Sequence, residues 1–238
     1  MSLILNIETA TGVCSVALAK DGQLVGLRES NTKNSHSSVL TIFIDEVVTA
    51  SGFSMSEIDA IAVSEGPGSY TGLRIGVATA KGLCYALDIP LIGVNTLQAM
   101  ALGMALPTTA SPKREGEIST LYCPMIDARR MEVYCAIYDE KGKEIREIRA
   151  EIIDENSFME YLAKNKVVFA GDGALKCRPL LDKHPNVQFL ADFQASAKFM
   201  IPLSEEKYSS KKFEDLAYFE PYYLKDFIAG KPRVKGLR

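Results

Sequence analysis

The chain has 238 residues, 47% hydrophobic and 24% charged, which is enough to bury a core without disulfides or metals. Its net charge of -3 excludes a wholly basic nucleic-acid-binding protein, and no run approaches the roughly 18 apolar residues of a membrane helix. Five scattered cysteines (Cys14, Cys84, Cys123, Cys135, Cys177) form no C-x-x-C pair and read as reduced core hydrophobes, which favours the cytoplasm. The start has no basic lead and no small-residue cleavage site, so no signal peptide is expected.

Leu3–Glu8 reads as a buried strand, Cys14–Ala19 as a second, and Gln23–Glu29 as a third. Asp21-Gly22 supplies the positive φ of the tight turn between the last two. The apolar stripe His36, Val39, Leu40, Phe43, Ile44, Val47 and Val48 predicts a helix over Ser37–Ala50, capped by Asn34 or Ser35 and ended by Gly52. Ile58–Ser64 is a strand, Gly66–Gly72 a loop, and Thr71–Leu87 a helix stopping before Pro90. Leu91–Val94 and Thr96–Leu106 follow as strand and helix, and the polar stretch Pro107–Gly116 reads as a linker.

The order then restarts. Leu121–Asp127, Met131–Tyr138 and Glu144–Arg149 read as strands, with a turn at Lys141-Gly142. A helix near Ser157–Lys164, a strand at Val167–Ala170 and the loop Gly171–Gly173 complete the pattern. Pro202 interrupts the apolar stretch Phe199–Leu203. Two halves with the same order, at negligible sequence identity, describe an α/β, two-lobed actin-like ATPase (ribonuclease H-like) fold, each lobe a mixed sheet flanked by helices. The expected division is a lobe at 1–108, a smaller lobe at 109–224 and a basic tail at 225–238. That tail holds five Lys/Arg against one Asp. It reads as a solvated terminus, with phosphate contact as the alternative.

The loop Gly66-Pro67-Gly68-Ser69-Tyr70-Thr71-Gly72 joins a strand to a helix, as phosphate loops do, but matches neither G-x-G-x-x-G nor a Walker loop. Anion or nucleotide contact at Gly68, Ser69, Tyr70, Thr71 and Arg74 therefore stands beside a structural turn or a partner contact. Small residues spaced by four follow: Gly72, Gly76 and Ala80, and a second row of Ala78, Gly82 and Ala86. Helix-interior glycine costs about 1 kcal/mol relative to alanine. Close backbone approach, by the chain's own sheet or by another protein, would offset it.

At Glu8–Gly12 and at Ile126–Arg130, where actin-like ATPases keep Asp and Gly around phosphate, Asp127 is well placed, but Glu8, Ala10, Ala128 and Arg129 replace the other groups. Independent ATP hydrolysis is not expected. The two histidines, His36 and His184, lie too far apart in sequence for a helix-borne metal site, and no Ser-His-Asp motif surrounds either. No catalytic residue, metal or cofactor is assigned.

Together, Leu5–Thr11, Gly66–Gly76, Ile126–Tyr134, Gly171–Ala174 and Glu220–Leu224 resemble the bacterial TsaB (YeaZ) family, with the Gly66–Gly76 block the most specific. The resemblance implies a degenerate accessory subunit, with no activity of its own, in the making of threonylcarbamoyladenosine in the tRNA anticodon loop. Its implied partners are a TsaD-type catalytic subunit and a TsaE-type ATPase in a larger complex. It implies a homodimer when alone, and contact with tRNA indirectly or through the basic tail. The partner helices carried over are Ser37–Ala50 and Thr71–Leu87, and the expected interface is His36, Val39, Leu40, Phe43, Ile44, Val47, Gly72, Leu73, Gly76, Val77, Ala80 and Leu83. Met131 stands where the family usually has glycine, which implies a stiffer hairpin. A glycoprotease-like peptidase and an actin-fold small-molecule kinase are the alternatives.

Overall fold

In the computed structural model, which describes residues 1–32, 36–109 and 118–225, the chain forms two five-stranded mixed sheets. The first sheet comprises β1 (Leu3–Glu8), β2 (Cys14–Lys20), β3 (Gln23–Ser30), β4 (Ala60–Gly66) and β5 (Leu91–Asn95) in the order β3-β2-β1-β4-β5. The second comprises β6 (Thr120–Asp127), β7 (Glu132–Tyr138), β8 (Glu144–Ile152), β9 (Lys166–Ala170) and β10 (Val187–Phe189) in the order β10-β9-β6-β7-β8. Read from the antiparallel edge inward, the two orders are identical, so the expected topological repeat is present.

Helix α1 (His36–Ala50) packs on β2 and β3, and α2 (Tyr70–Leu87) on β4, burying Leu40, Ile44, Val47, Val77 and Cys84 with Leu5, Ile7 and Val63. Gly52 ends α1 at φ +77°, as expected, whereas α2 ends on Asp88 in the same left-handed region at φ 56°. Between the sheets lies α3 (Thr96–Thr109), whose Leu97, Met100, Ala101 and Met104 pack on Tyr122, Ile126 and Tyr138. On the far side of the second sheet are α4 (Met159–Leu162) and α5 (Ala174–Leu181).

Several expectations are revised. The expected linker begins inside α3, whose last residues are Pro107–Thr109, and the rest of it lies outside the described residues. So do the caps Asn34 and Ser35, and the basic tail beyond Lys225. The helix expected over Ser157–Lys164 is only Met159–Leu162, while β10 and α5 had no strong periodicity to announce them. Pro202 does not break a helix but opens α6 (Ile201–Ser209), in the first turn, where its missing N–H is not needed. Part of the segment 109–224 packs on the first sheet. Ala197, Met200 and Ile201 pack on the first sheet with Ile4 and Ala62, and the Ala197 N–H donates to Ser15 Oγ at 2.9 Å. Further on, the Glu214 N–H donates to Leu91 O at 2.9 Å.

In the second lobe Arg146 pairs with Glu151, their side chains 8% and 26% exposed. Arg146 also lies over the Phe158 ring, 5.0 Å from its centroid. Glu151→Ala leaves a buried guanidinium uncompensated and is expected to cost about 3 kcal/mol in urea unfolding. An unchanged midpoint would show that water already reaches Arg146.

Candidate functional site

The motif loops converge. A cleft of about 650 Å³ between the sheets is lined by the β1–β2 turn (Ala10, Thr11, Gly12), the β4–α2 loop (Pro67–Gly72), the β6–β7 turn (Ile126–Arg129), Asp172, and Tyr222–Lys225. Glycine is what lets the first two loops meet. A Cβ on Gly68 would fall on the Ala10 backbone, one on Gly72 on the Thr9 carbonyl, and one on Gly76 on Thr9 Oγ1. The irregular segment around Tyr222 lies over Gly66: Tyr222 N–H donates to Glu65 O at 2.6 Å, and a Cβ on Gly66 (φ +118°) would meet Tyr222 O at 2.7 Å.

The β4–α2 loop uses its own donors. Ser69 N–H donates to Ala10 O (2.7 Å), Gly72 N–H to Ser69 Oγ (3.3 Å) and Leu73 N–H to Ser69 O (2.9 Å). Gly68, Ser69, Tyr70 and Thr71 do line the cleft, but Arg74 does not. Its guanidinium lies 5.4 Å from the Tyr70 ring centroid. Beneath the loop, Glu8 is 1% exposed and accepts the Ala10 N–H at 2.6 Å. Burial raises its carboxyl to about 7, opposed by the hydrogen bonds from Ala10 and Ser64. Across the cleft, burial works against the Asp127 carboxylate, yet hydrogen bonds from Lys176 and the Arg129 N–H hold it below its ordinary value. Asp172, which accepts the Asp127 N–H at 2.9 Å, is pushed up by burial. Among the described residues, no group of three or more His, Cys, Asp or Glu is arranged to hold a metal.

The residues of the expected interface fall mostly within the chain's own core. Leu40, Ile44, Val47, Gly72, Leu73, Gly76, Val77 and Ala80 are buried in the chain's own core, and Val39, Phe43 and Leu83 are half-buried against it. His36 faces the cleft, its Nε2 3.2 Å from Val13 O. The row facing outward is the other one, Ala78, Gly82 and Ala86, with Tyr85 83% exposed beside it and Ile42 of α1 52% exposed. A Cβ on Gly82 would meet nothing within 4 Å. The signal that could have found this lies in α2 itself. Leu73, Val77, Ala80 and Cys84 share the face of Gly72 and Gly76, so that row had to point inward. Met131, read as stiffening its hairpin, does not take the left-handed position; Arg129 (φ 72°) and Arg130 (φ 52°) do.

Two sheets of one repeated order, facing a cleft floored by hairpins, define a protein of the actin-like ATPase class. A family model described as TsaD, tRNA N6-adenosine threonylcarbamoyltransferase, matches residues 24–228. The chain is 34% identical to the tRNA threonylcarbamoyladenosine biosynthesis protein TsaB of Escherichia coli K12, over 96% of each chain. It belongs to the TsaB (YeaZ) family. TsaB of Haemophilus influenzae is 28% identical over 96% of this chain and 95% of that one. The solved structure of YeaZ from Pseudomonas aeruginosa covers 94% of this chain and is wholly covered itself, with a TM-score of 0.80 at 23% identity, a likeness of fold. No described helix is long and apolar enough to cross a membrane.

Proposed function

We propose that this chain is a non-catalytic, cytoplasmic subunit that binds and activates a TsaD-type enzyme forming N6-threonylcarbamoyladenosine in the tRNA anticodon loop. The docking face is the outward side of α2, with the exposed edge of α1. The observation that carries this is Gly82, a helix-interior glycine with open space where its side chain would be. Such a residue costs about 1 kcal/mol and none of the described residues of this chain packs against it, so the compensation lies in a helix from another chain. The cleft supports an accessory role: Ala10 and Ala128 line it, and the Ser69 and Gly72 N–H groups of the β4–α2 loop donate to Ala10 O and Ser69 Oγ. The functional lobes in this reading are residues 1–108 with the returning segment 197–223, and the second sheet with α4 and α5. A TsaE-type ATPase joins the pair, and without partner the same face joins two copies of this chain.

The test is co-expression with a TsaD-type subunit and measurement of the co-purified ratio. Gly82→Leu is expected to lower capture at least tenfold while the far-ultraviolet circular dichroism stays that of the wild type. Capture at the wild-type ratio would move the docking face elsewhere. Tight ATP binding by the isolated chain in calorimetry would argue for a kinase instead.

A further inference from the structure

We infer that a second cavity, beside the cleft and walled by both lobes, binds a small organic amine in its ammonium form, between the Asp172 and Asp192 carboxylates and an apolar wall. The inference does not use the docking reading, and it concerns residues away from the Gly82 face.

Strand register sets the carboxylates. Strands β9 and β10 run parallel, with Phe189 beside Phe169. Asp172 and Asp192 each lie three residues beyond that pair, past the carboxyl ends of neighbouring parallel strands. Such an edge is where open α/β sheets take their ligands. Both residues line one cavity of about 260 Å³. The first lobe supplies its other side through the β1–β2 turn and Asn31. The volume falls just below the roughly 300–1,000 Å³ of drug-sized sites, so the ligand is small.

The lining is negative. Among its described residues there is no lysine, arginine or histidine. Asp172 accepts the Asp127 N–H at 2.9 Å. Lys176, which lowers the Asp172 carboxyl, is committed to Asp127 and to the Glu132 carbonyl at 2.7 Å. Asp192 has no ion pair or hydrogen bond among the described residues, and it lines this cavity but not the main cleft. Much of the remaining wall is apolar: Met100 of α3 is 1% exposed, Phe193 is half-buried on Phe199 (5.4 Å between centroids, 10°), and Leu175 of α5 is 63% exposed.

These two properties select the ligand. Filling the apolar part sheds water from the carboxylates, and a carboxylate that loses water needs a charged donor in its place. A neutral ligand leaves both unpaired. An anion, or an α-amino acid, brings a further carboxylate against them. A hard metal ion needs more oxygen ligands, and among the described residues no group of three or more His, Cys, Asp or Glu could hold one. An ammonium on an apolar body meets both walls. It also offsets the burial that raises the Asp172 carboxyl.

Calorimetric titration of the full chain with 2-phenylethylamine tests this. Its neutral counterpart, 2-phenylethanol, is expected to bind about tenfold more weakly, and 3-phenylpropanoate more weakly still. Asp172→Asn and Asp192→Asn keep an oxygen acceptor, and asparagine tolerates the left-handed backbone of Asp192 (φ 57°). Each is expected to weaken amine binding about tenfold and leave the alcohol unchanged. Leu175→Lys, at an exposed position, sets a tethered ammonium beside the cavity and is expected to weaken the amine as well. The exposed control Glu206→Gln binds as the wild type. Capture of the TsaD-type subunit stays intact in all four, so a negative result leaves the Gly82 reading standing. No amine binding by the wild type, or equal binding of amine and alcohol, overturns the inference. So does wild-type affinity in Asp192→Asn, which moves the amine to the main cleft. Loss of subunit capture in Asp192→Asn, with circular dichroism unchanged, gives the cavity to a basic side chain of a partner and overturns the inference too.

Discussion

Gly76→Leu is expected to unfold at a much lower urea concentration than the wild type, with a loss of at least about 3 kcal/mol. The added side chain would point at Thr9, which is 0% exposed and whose carbonyl is already pressed against Gly72. Thr9 is branched at Cβ and sits on a turn held by the Thr9 N–H bond to Ser64 Oγ (3.2 Å), so it has little room to yield. A domain stable by 5–15 kcal/mol loses much of its margin to one such overpacking. Gly82→Leu, six residues along the same helix, is expected to do the opposite and gain about 0.8 kcal/mol, because leucine is the better helix former and meets open space. The two measured together separate an inward row from an outward one. A wild-type midpoint for Gly76→Leu would mean that the β1–β2 turn is not fixed beneath α2.

The second large effect is a dependence on pH. Glu8 is held at about 7 against an ordinary 4.5, because burial disfavours its charged form. Its pKa is higher folded than unfolded, so the folded chain binds the extra proton. Stability from this group is therefore full below pH 4.5, falls as pH rises towards 7, and is level above that. The 2.5-unit interval corresponds to roughly 3 kcal/mol. Glu8→Gln keeps an oxygen acceptor for the Ala10 N–H and removes the titration. Urea unfolding at pH 5 and pH 8 should show the wild type losing stability between them and the variant losing less by up to that amount. Glu65 and Asp172, also raised by burial, add a slope of the same sign to both proteins, so the difference between the two is the measurement. Equal slopes would place Glu8 in contact with water. The same burial turns the Glu8 carboxylate inward, bonded to its own turn.

Local patterns determined a good part of this protein. The meander strands, the α1 stripe, the Gly52 stop and the repeated order of the halves follow from periodicity and turn chemistry, which act within a few residues of chain. So do the turns in four of the motif blocks, Leu5–Thr11, Gly66–Gly76, Ile126–Tyr134 and Gly171–Ala174, each following a strand. Which row of α2 points inward was written in Leu73, Val77, Ala80 and Cys84, but it became decisive only once Thr9 of a distant turn occupied the space that Gly72 and Gly76 leave. The return of residues 197–223 to the first sheet, the meeting of Lys225 with Glu132, and the approach of Tyr223 to Tyr70 were decided by tertiary structure alone. These contacts join residues separated by as many as 203 positions, and burial and packing reward them only when both lobes are already in place.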